Sequence, residues 1–492
     1  MCIGWEKTLA VWLGDLSAAL GITPAPGWER VEVCDVCEDS RLVRPGALFV
    51  ALPGALHDGA LFIDAAIAAG AVAVVSDREQ RVPVPLLRVD DTRVALARLA
   101  AAFHGRPTET LFAVGVTGTN GKTTVCHWIA HLLGPDRTVV IGTLANEAHG
   151  FDAMTTPSSI AVQQIAAEAR VRRAEHLIVE ASSIGLAQHR LDAVDFDVGV
   201  FTNLTRDHLD WHGSMEAYLA SKRMLFDGLK RSACAVINAD DPASDALVDH
   251  CGAERFRYGV VEASDLQGAE LCIGRRGTDC SLVWRTERIP ARIPHPGRHN
   301  LFNGLAAASV ALLHGVPLDV VSDRLGSVPP VAGRCEVFKR ADGVIGIVDF
   351  AHTPDALQRM LEIVRPPAGQ LFVVFGCPGQ SDRGKRPMMG EIAGRFADWT
   401  VLTADNPKHE DPEVILSEIE AGLRSQSDLW ERVLDRAEAI RRAIDRAKPG
   451  DAILIAGKGH ESYQIVGDRF VPYSDRDVLR GLGFEEADAA HL

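Results

Sequence analysis

The sequence predicts an α/β protein of three domains, the second and third of which are built on parallel β-sheets. Its 492 residues exceed what one hydrophobic core usually supports, so two to four domains are expected. Two series of short, continuous apolar runs alternate with amphipathic stretches, one starting near residue 109 and the other near residue 331. Such runs, ended by Gly or polar residues, are typical of buried parallel strands. The predicted domain boundaries are therefore 1–108, 109–330 and 331–492.

Each section has its own pattern. The first contains the strand-like pieces ALFVALPG and AVAVVSD and an Ala-rich helical stretch, which predict a small α/β unit. The central section reads LFAVGV, TVVIGT, HLIVEAS, FDVGVFTN and CAVINAD, and the third reads GVIGIVDF, QLFVVFG, WTVLTAD and DAILIAGKG. Ligands of open parallel sheets bind beyond the carboxyl ends of the strands, so we expect two doubly wound sheets facing a shared cleft. The strand ends carry Glu180, Asn203, Asp349, Gly376, Asp405 and Gly457.

Composition excludes several classes of protein. The net charge of −15 provides no basic footprint, so no nucleic-acid partner is expected. The apolar runs are far shorter than the roughly 20 residues of a membrane helix, and the N-terminus lacks the basic segment of a signal peptide, which together predict a cytoplasmic protein without membrane insertion. Ten cysteines in a chain of this length do not predict a disulfide scaffold. Cys34 and Cys37 have no second pair at zinc spacing, so we interpret them as structural.

The segment AVGVTGTNGKTTV, residues 113–125, has the pattern of a phosphate-binding loop. An apolar strand leads into a Gly-rich turn, and an amphipathic helix follows. The glycines permit close approach of phosphate, the helix N-terminus supplies N–H donors, and the Lys-Thr pair supplies a mobile positive charge and a hydroxyl for Mg²⁺. The general motif is matched imperfectly, because Val116 stands where its first Gly would be, and a purely structural turn is the alternative. The candidate residues are Gly118, Thr119, Asn120, Gly121, Lys122, Thr123 and Thr124.

Three further side chains are candidates for the same site. Glu180 ends an apolar strand, where a carboxylate can bind Mg²⁺, although a solvated loop acid is the alternative. His208 lies just past the next strand, and Lys222 lies on a predicted helix. Taken singly, His208 could cap a helix and Lys222 could be a surface lysine.

Taken together, the motifs resemble those of the Mur ligase superfamily and, within it, the MurE type, which adds diaminopimelate or L-lysine to UDP-N-acetylmuramoyl-L-alanyl-D-glutamate. The resemblance covers nearly the whole chain and is carried by GTNGKTT, VEASSIGLAQHR, TRDHLDWHG, HPGRHNLFNGLAAA, GRCEVF, VDFAHTPDAL, GKRPMMGEIA, ADNPKHEDP and GKGHES. Asp39-Ser40-Arg41, PGALFVALPG and HDGALFI resemble the uridine-domain motifs of the MurE type. The related folylpolyglutamate synthetases would lack these motifs, and cyanophycin synthetases would need an additional N-terminal domain.

The resemblance implies a uridine-binding first domain, a central ATPase domain and a Rossmann-like third domain that binds the amino acid and nucleotide. It implies a monomer that uses ATP and Mg²⁺ to turn a substrate carboxylate into an acyl phosphate, which an amine then attacks. The implied UDP-substrate residues are Ser40, Thr155, Thr156, Ser182, Gln188 and Arg190. Besides the loop, Asn303, Arg334 and Asp349 would bind ATP, and Asp405, Asn406, Lys408, Gly457 and Glu461 would bind the amino acid. The implied catalytic residues are Lys122, Glu180, His208 and Lys222, and the metal ligands are Thr123, Glu180, His208 and carbamylated Lys222.

Three positions depart from the family pattern. Ile184 replaces the His of SSHGL, Ser381 replaces the Arg of GGDRD, and Lys408 replaces the Arg of DNPR. Lys cannot reproduce the planar, bidentate fork of Arg at a carboxylate. We therefore expect a dibasic amino acid as the acceptor, with meso-diaminopimelate first. A specialised paralogue that joins another acid and amine is the alternative, and an ATPase switch is a third hypothesis.

Overall fold

The computed structural model describes residues 10–54, 58–146 and 154–487. The absence of a signal peptide was inferred partly from residues 1–9, which lie outside the described residues. The predicted α/β fold class is confirmed: three sections of the chain each form a wholly or mainly parallel sheet covered by helices on both faces. The exact boundaries at residues 108 and 330 stay predictions.

The first sheet is small and parallel, with the strand order β3-β4-β5-β6, beside an antiparallel pair β1-β2. Its strands are β1 (Val11–Trp12), β2 (Glu32–Val33), β3 (Asp35–Cys37), β4 (Ala47–Val50), β5 (Ala73–Ser76) and β6 (Leu86–Arg88). Its helices are α1 (Leu13–Ala19), α2 (Ile63–Ala68) and α3 (Thr92–Phe103). Along β4, Leu48 and Val50 pack against α1 and α3, whereas Phe49 packs against α2. Because alternate side chains point to opposite faces, both faces are buried.

The central sheet has the order β15-β14-β13-β12-β11-β10-β7-β9-β8 within the part of the chain that the structure describes. Its strands are β7 (Phe112–Thr117), β8 (Thr138–Ile141), β9 (His176–Glu180), β10 (Val198–Phe201), β11 (Cys234–Asn238), β12 (Glu254–Gly259), β13 (Leu266–Gly274), β14 (Gly277–Trp284) and β15 (Glu287–Ile293). Its helices are α4 (Lys122–Leu133), α5 (Ser159–Val171), α6 (Ser183–Ala187), α7 (Leu209–His212), α8 (Met215–Asp227), α9 (Ser244–Leu247), α10 (Arg298–Leu313) and α11 (Leu318–Leu325). The strands β7 to β13 pair in parallel, and β13 to β15 form an antiparallel extension.

The third sheet has the order β20-β19-β18-β21-β17-β16-β24. Its strands are β16 (Glu336–Arg340), β17 (Ile345–Asp349), β18 (Leu371–Phe375), β19 (Trp399–Leu402), β20 (Trp430–Arg432), β21 (Ala452–Ala456) and β24 (Phe484–Ala487), with a separate hairpin of β22 (Tyr463–Val466) and β23 (Arg469–Pro472). Its helices are α12 (Pro354–Val364), α13 (Lys385–Phe396), α14 (Pro412–Leu423), α15 (Arg436–Arg446) and α16 (Asp475–Gly481). In this described sheet β16 runs antiparallel to both of its neighbours, β17 and β24, and the other neighbouring strands pair in parallel.

Strand order positions the phosphate-binding loop. The loop follows β7, which lies between β9 and β10, with Val116 opposite Glu180 and Thr117 opposite Phe201. The carboxyl ends of these three strands therefore meet at one edge of the sheet. Side chains that follow them, far apart in sequence, come within contact distance of the loop.

The central and third sections touch through polar side chains. Arg206 pairs with Asp382, Asp207 pairs with Lys385, and Asn120 donates to the Asp355 carboxylate at 3.0 Å. In the described ranges no helix is long and apolar enough to cross a membrane. Cys34 and Cys37 are free thiols.

Candidate active site

The phosphate-binding loop is held rigidly by the segment that follows β10. The Thr119 N–H donates to the Asn203 carbonyl at 2.8 Å, and the Asn120 N–H donates to Asn203 Oδ1 at 3.0 Å. A Cβ added at Gly118 would lie 1.9 Å from Thr202 Oγ1, so glycine is required for this packing. The helix α4 begins at Lys122, which directs its free N-terminal N–H groups towards the loop.

Two lysines converge on one carbonyl of the loop. Lys122 Nζ donates to Gly118 O at 2.9 Å, and Lys222 Nζ, from α8, donates to the same oxygen at 2.8 Å. Burial, reinforced by the charge of Lys122, holds the pKa of Lys222 well below the usual range of a lysine. Burial also lowers the pKa of Lys122, although Glu180 opposes that shift. Arg223 is turned away from the loop and pairs with Asp227 on the helix surface. Since two ammonium groups at one oxygen repel each other, the site favours a neutral Lys222.

Thr123 and Glu180 form the oxygen-rich side of the loop. Thr123 Oγ1 donates to Glu180 Oε2 at 3.0 Å, and the Thr143 N–H donates to Glu180 Oε1 at 3.0 Å. Burial raises the pKa of Glu180, while the charges of Lys122 and Arg334 counteract part of that shift. A hydroxyl and a carboxylate beside a phosphate-binding loop suit Mg²⁺, which prefers few protein oxygens plus phosphate and water. No group of three or more His, Cys, Asp or Glu side chains in the described ranges could hold a metal without such additional ligands.

His208 belongs to a charge network centred on Asp207. Asp207 Oδ1 accepts from Lys385 Nζ at 3.1 Å, and its Oδ2 lies 3.4 Å from His208 Nε2 and 3.5 Å from His352 Nε2. Burial opposes ionisation of Asp207, but Lys385 and the two histidines hold its pKa well below the ordinary range. Burial lowers the pKa of His208 to about 4, which leaves a neutral ring at pH 7. Lys385 was not predicted as a site residue, although it lies in the motif GKRPMMGEIA.

A cavity of about 810 Å³ opens between the central and third sections beside the loop. Gly121, Asn303, Arg334 and Asp349 line it. Arg334 donates to Thr123 Oγ1 at 3.2 Å and lies 4.6 Å from the Phe350 ring centre. The Cys335 N–H donates to Asp349 Oδ2 at 2.7 Å, and burial raises the pKa of that carboxyl. A nucleotide-sized cavity that ends at a phosphate-binding loop fits ATP.

Four of the predicted UDP-substrate residues form one hydrogen-bonded group. Thr156 Oγ1 donates to the Glu180 carbonyl at 2.6 Å and lies 2.9 Å from Ser182 Oγ. Arg190 donates to Thr156 O at 2.5 Å and to Gln188 Oε1 at 2.5 Å.

Thr155 contacts Thr143 at 3.1 Å between their hydroxyls, and Ser40 lies in the turn after β3. A second cavity of about 140 Å³ is lined by Gln188 and Arg190 together with Glu38 and Arg93 from the first section. Glu38 and Arg93 were not predicted from the sequence, because neither lies in a recognised motif.

The predicted amino-acid residues lie at the carboxyl edge of the third sheet. The side chains of Asn406 and Glu461 are bridged by Lys458, whose Nζ is 3.0 Å from Asn406 Oδ1 and 2.6 Å from Glu461 Oε2. Lys458 is fully buried and was not identified from the sequence. Asp405 Oδ2 is buried and accepts no hydrogen bond from any described residue, and a Cβ at Gly457 would lie 2.6 Å from it. Glycine at 457 is therefore required for the backbone to pass this close to the buried carboxylate oxygen.

The fold and this site define an ATP-dependent ligase, and the chain belongs to the Mur ligase family. The Mur ligase catalytic-domain family matches residues 35–104, the Mur ligase middle domain matches 116–311, and the Mur ligase glutamate ligase domain matches 333–459. These matches follow the order of the three sheets.

Among curated relatives, the UDP-N-acetylmuramoyl-L-alanyl-D-glutamate–2,6-diaminopimelate ligase of Halalkalibacterium halodurans is 42% identical over 451 residues, covering 90% of this chain and 92% of its own. The ligase of the same name from Caldanaerobacter subterraneus is 37% identical over 464 residues, covering 93% and 96%. A solved structure with that name is 32% identical, with a TM-score of 0.67 and coverage of 96% and 98%. A MurF ligase from Thermotoga maritima in complex with ADP is 22% identical, with a TM-score of 0.62 and coverage of 87% and 94%, and supports the fold alone.

Proposed function

We propose that the protein joins a dibasic amino acid, meso-diaminopimelate first, to the D-glutamate carboxylate of UDP-N-acetylmuramoyl-L-alanyl-D-glutamate, in peptidoglycan synthesis. The observation that carries this proposal is Asp405 Oδ2, which is buried and has no hydrogen-bond partner among the described residues, next to the hydrogen-bonded pair of Asn406 and Glu461. An unsatisfied carboxylate oxygen in a buried site is suited to a cationic or amine-bearing ligand. The two curated relatives described above, which cover 93% and 90% of this chain, carry the name of this ligase.

The site residues have two roles, which are to position the substrates and to neutralise the charge of the phosphates. Lys122 and the N-terminus of α4 bind the phosphates, and Asn303, Arg334 and Asp349 bind the rest of the nucleotide. ATP supplies the leaving group, because a free carboxylate is a poor electrophile and becomes reactive as an acyl phosphate. Thr123, Glu180 and His208 would hold Mg²⁺, and the carbamate of Lys222 would hold a second ion. The enzyme then acts mainly by holding the reactants in place and balancing the developing charge.

Two departures from the family pattern bear on the acceptor. Ser381 is half-buried in the loop before α13, where the family has an arginine. Lys408 is held with φ +53°, and its backbone pairs with Ile465 of the hairpin. A specialised paralogue that uses another amine is the second candidate, because neither side chain offers the bidentate fork of arginine. The cytoplasmic location and the monomeric state also stay predictions.

The test is a screen of phosphate release with ATP, Mg²⁺, the UDP-muramoyl dipeptide and one amine at a time. The amines are meso-diaminopimelate, lysine, ornithine and a neutral amino acid, and the ligated product is identified by mass. We expect release to require both substrates, with a dibasic amino acid preferred, and Lys122→Ala to abolish it. Release without an amine would support an ATPase switch instead. A ligated product from a non-dibasic amine alone would favour the paralogue.

A second experiment tests the two departures. If meso-diaminopimelate is a poor acceptor, the double variant Ser381→Arg, Lys408→Arg is expected to lower its KM. The Arg442→Lys variant is the control, because Arg442 lies on the exposed face of α15 and pairs only with Glu431 and Glu438. An unchanged KM in the double variant would contradict the interpretation of Ser381 and Lys408.

A further inference from the structure

The segment 378–384, which we term the bridging loop, is fastened to two different parts of the protein. On its third-domain side, the Gly379 N–H donates to the Asn406 carbonyl at 2.9 Å, and the Gln380 N–H donates to Glu410 Oε2 at 3.0 Å. The loop therefore contacts the backbone of Asn406, a proposed acceptor-binding residue. Its conformation and the position of that backbone depend on each other.

On its other side, the bridging loop is bound by Arg206 of the central section. Arg206 Nε lies 2.9 Å from Asp382 Oδ2, and its Nη2 lies 3.0 Å from Asp382 Oδ1, a bidentate pair. Bidentate pairs of this kind fix geometry as well as charge. Asp382 is only 5% exposed, whereas Arg206 is 39% exposed. Asp382 Oδ1 also accepts from the Gly384 N–H at 2.9 Å, so the pair and the loop turn share one carboxylate.

The close approach of Arg206 depends on glycine at 384. A Cβ at that position would lie 2.2 Å from Arg206 Nη2. Both chain segments therefore contribute to this contact, because Gly384 leaves the space that the Arg206 guanidinium occupies beside Asp382.

We propose that the Arg206–Asp382 pair couples docking of the third domain to binding of the acceptor amine, with Arg206 acting as a positioning residue. When the third domain docks, Arg206 orders the bridging loop, and the loop orders the Asn406 backbone at the acceptor site. Because coupling between two events is reciprocal, acceptor binding also favours docking. The acceptor part of this inference rests on the proposed function, whereas the docking part does not.

The Asp207–Lys385 pair also joins the central and third sections, but it is not suitable for testing the proposal by mutation. Both of its side chains are almost fully buried, and it contacts His208 and His352 beside the phosphate-binding loop. Breaking it would leave an uncompensated buried charge near the reacting groups. The Arg206–Asp382 pair can be broken with less damage, because Arg206 is partly solvated and Asp382 keeps the hydrogen bond from the Gly384 N–H.

The experiment compares Arg206→Gln, Asp382→Asn and their double variant with the wild-type protein. Asn keeps an oxygen for the Gly384 N–H and removes the charge. Arg340→Gln is the matched control, since Arg340 forms a similar bidentate pair with Asp342 inside the third domain. We measure KM for the amine and for ATP, and the radius of gyration by X-ray scattering with ADP and Mg²⁺. Melting temperatures establish that each variant is folded.

We expect each single variant to raise KM for the amine by roughly 5- to 150-fold, the usual range of coupling between sites. KM for ATP should rise as well, because the nucleotide cavity is lined by both of the docked sections. The double variant should raise KM for the amine no more than the more impaired single variant does, because all three variants remove the same contact. The radius of gyration should increase in all three and stay unchanged in Arg340→Gln.

Additive effects of the two single variants, or an unchanged KM for the amine in an active enzyme, would overturn the coupling. An unchanged radius of gyration would overturn it even if no amine is ligated. The proposed function is tested separately on the wild-type enzyme. If the wild type ligates no amine, the proposed function fails, and the scattering measurement still tests the docking part.

Discussion

Replacing Lys222 by alanine tests the carbamate most directly. Its Nζ and that of Lys122 are bound to the same Gly118 oxygen, so the two ammonium groups would stand within about 6 Å of each other. At an effective dielectric constant near 20, two charges at that separation repel by about 3 kcal/mol, more than the net value of a typical hydrogen bond. A neutral amine would relieve this repulsion and could capture CO₂, which would turn the side chain into a carboxylate suited to Mg²⁺.

We expect Lys222→Ala to lower kcat by about 10²- to 10³-fold, the usual cost of removing one electrostatic group from an active site. Added acetate should restore part of the activity, because alanine leaves space in which a carboxylate can bind. Lys222→Met is the matched control: its side chain fills that space, so acetate should restore little. The assay is phosphate release at saturating substrates.

Arg223→Ala provides a second control, since Arg223 is the next residue on α8 but pairs with Asp227 outside the site. It should keep most of the wild-type activity. A carbamate resonance in ¹³C NMR with labelled bicarbonate should be present in the wild-type enzyme and absent in Lys222→Met. Failure of acetate to restore Lys222→Ala, together with no such resonance in the wild type, would refute the reasoning.

Three further predictions concern stability and nucleotide binding. Arg436→Ala should lower the free energy of unfolding by about 3–5 kcal/mol in urea titrations, because it leaves the fully buried Asp475 without its charged partner. A loss below about 1 kcal/mol would contradict this expectation. Gly121→Ala should raise KM for ATP at least tenfold, since φ is +88° and the new Cβ would meet Asn303 Oδ1, and an unchanged KM would show that the loop adapts. Burial lowers the pKa of His212 from 6.5 to about 4, so between these pH values only the unfolded state takes up a proton, and stability falls as pH falls. The melting temperature of His212→Gln should therefore depend less on pH in this range than that of the wild type. An equal pH dependence would exclude His212 as its source.

Much of the fold could be predicted from the sequence because its signals are local. Continuous apolar runs such as HLIVEAS predicted buried parallel strands, and the strands β7, β9 and β10 lie where those runs stand. The antiparallel extension β13 to β15 was missed, since its strands are half exposed and lack continuous apolar runs. The resemblance to a family added the order of domains and a list of candidate residues.

Residues 118–124 illustrate what the sequence determined by itself. Their glycines, lysine and threonines are contiguous, so the strand, the turn and the helix start follow from local conformational preference alone. The same is true of Asp405 and Asn406, which directly follow an apolar strand. Such motifs identify the chemistry that a site can perform.

Only the tertiary structure decided which distant groups meet and how charged they are. Asp207 and Lys385 are 178 positions apart, and Arg206 and Asp382 are 176 apart, on separate sheets that must dock before either pair exists. The burial that lowers the pKa of Lys222 likewise comes from the packing of α8 on the loop, which no motif encodes. The physical reason is that burial and charge coupling depend on distances in space, whereas a motif records only distances along the chain.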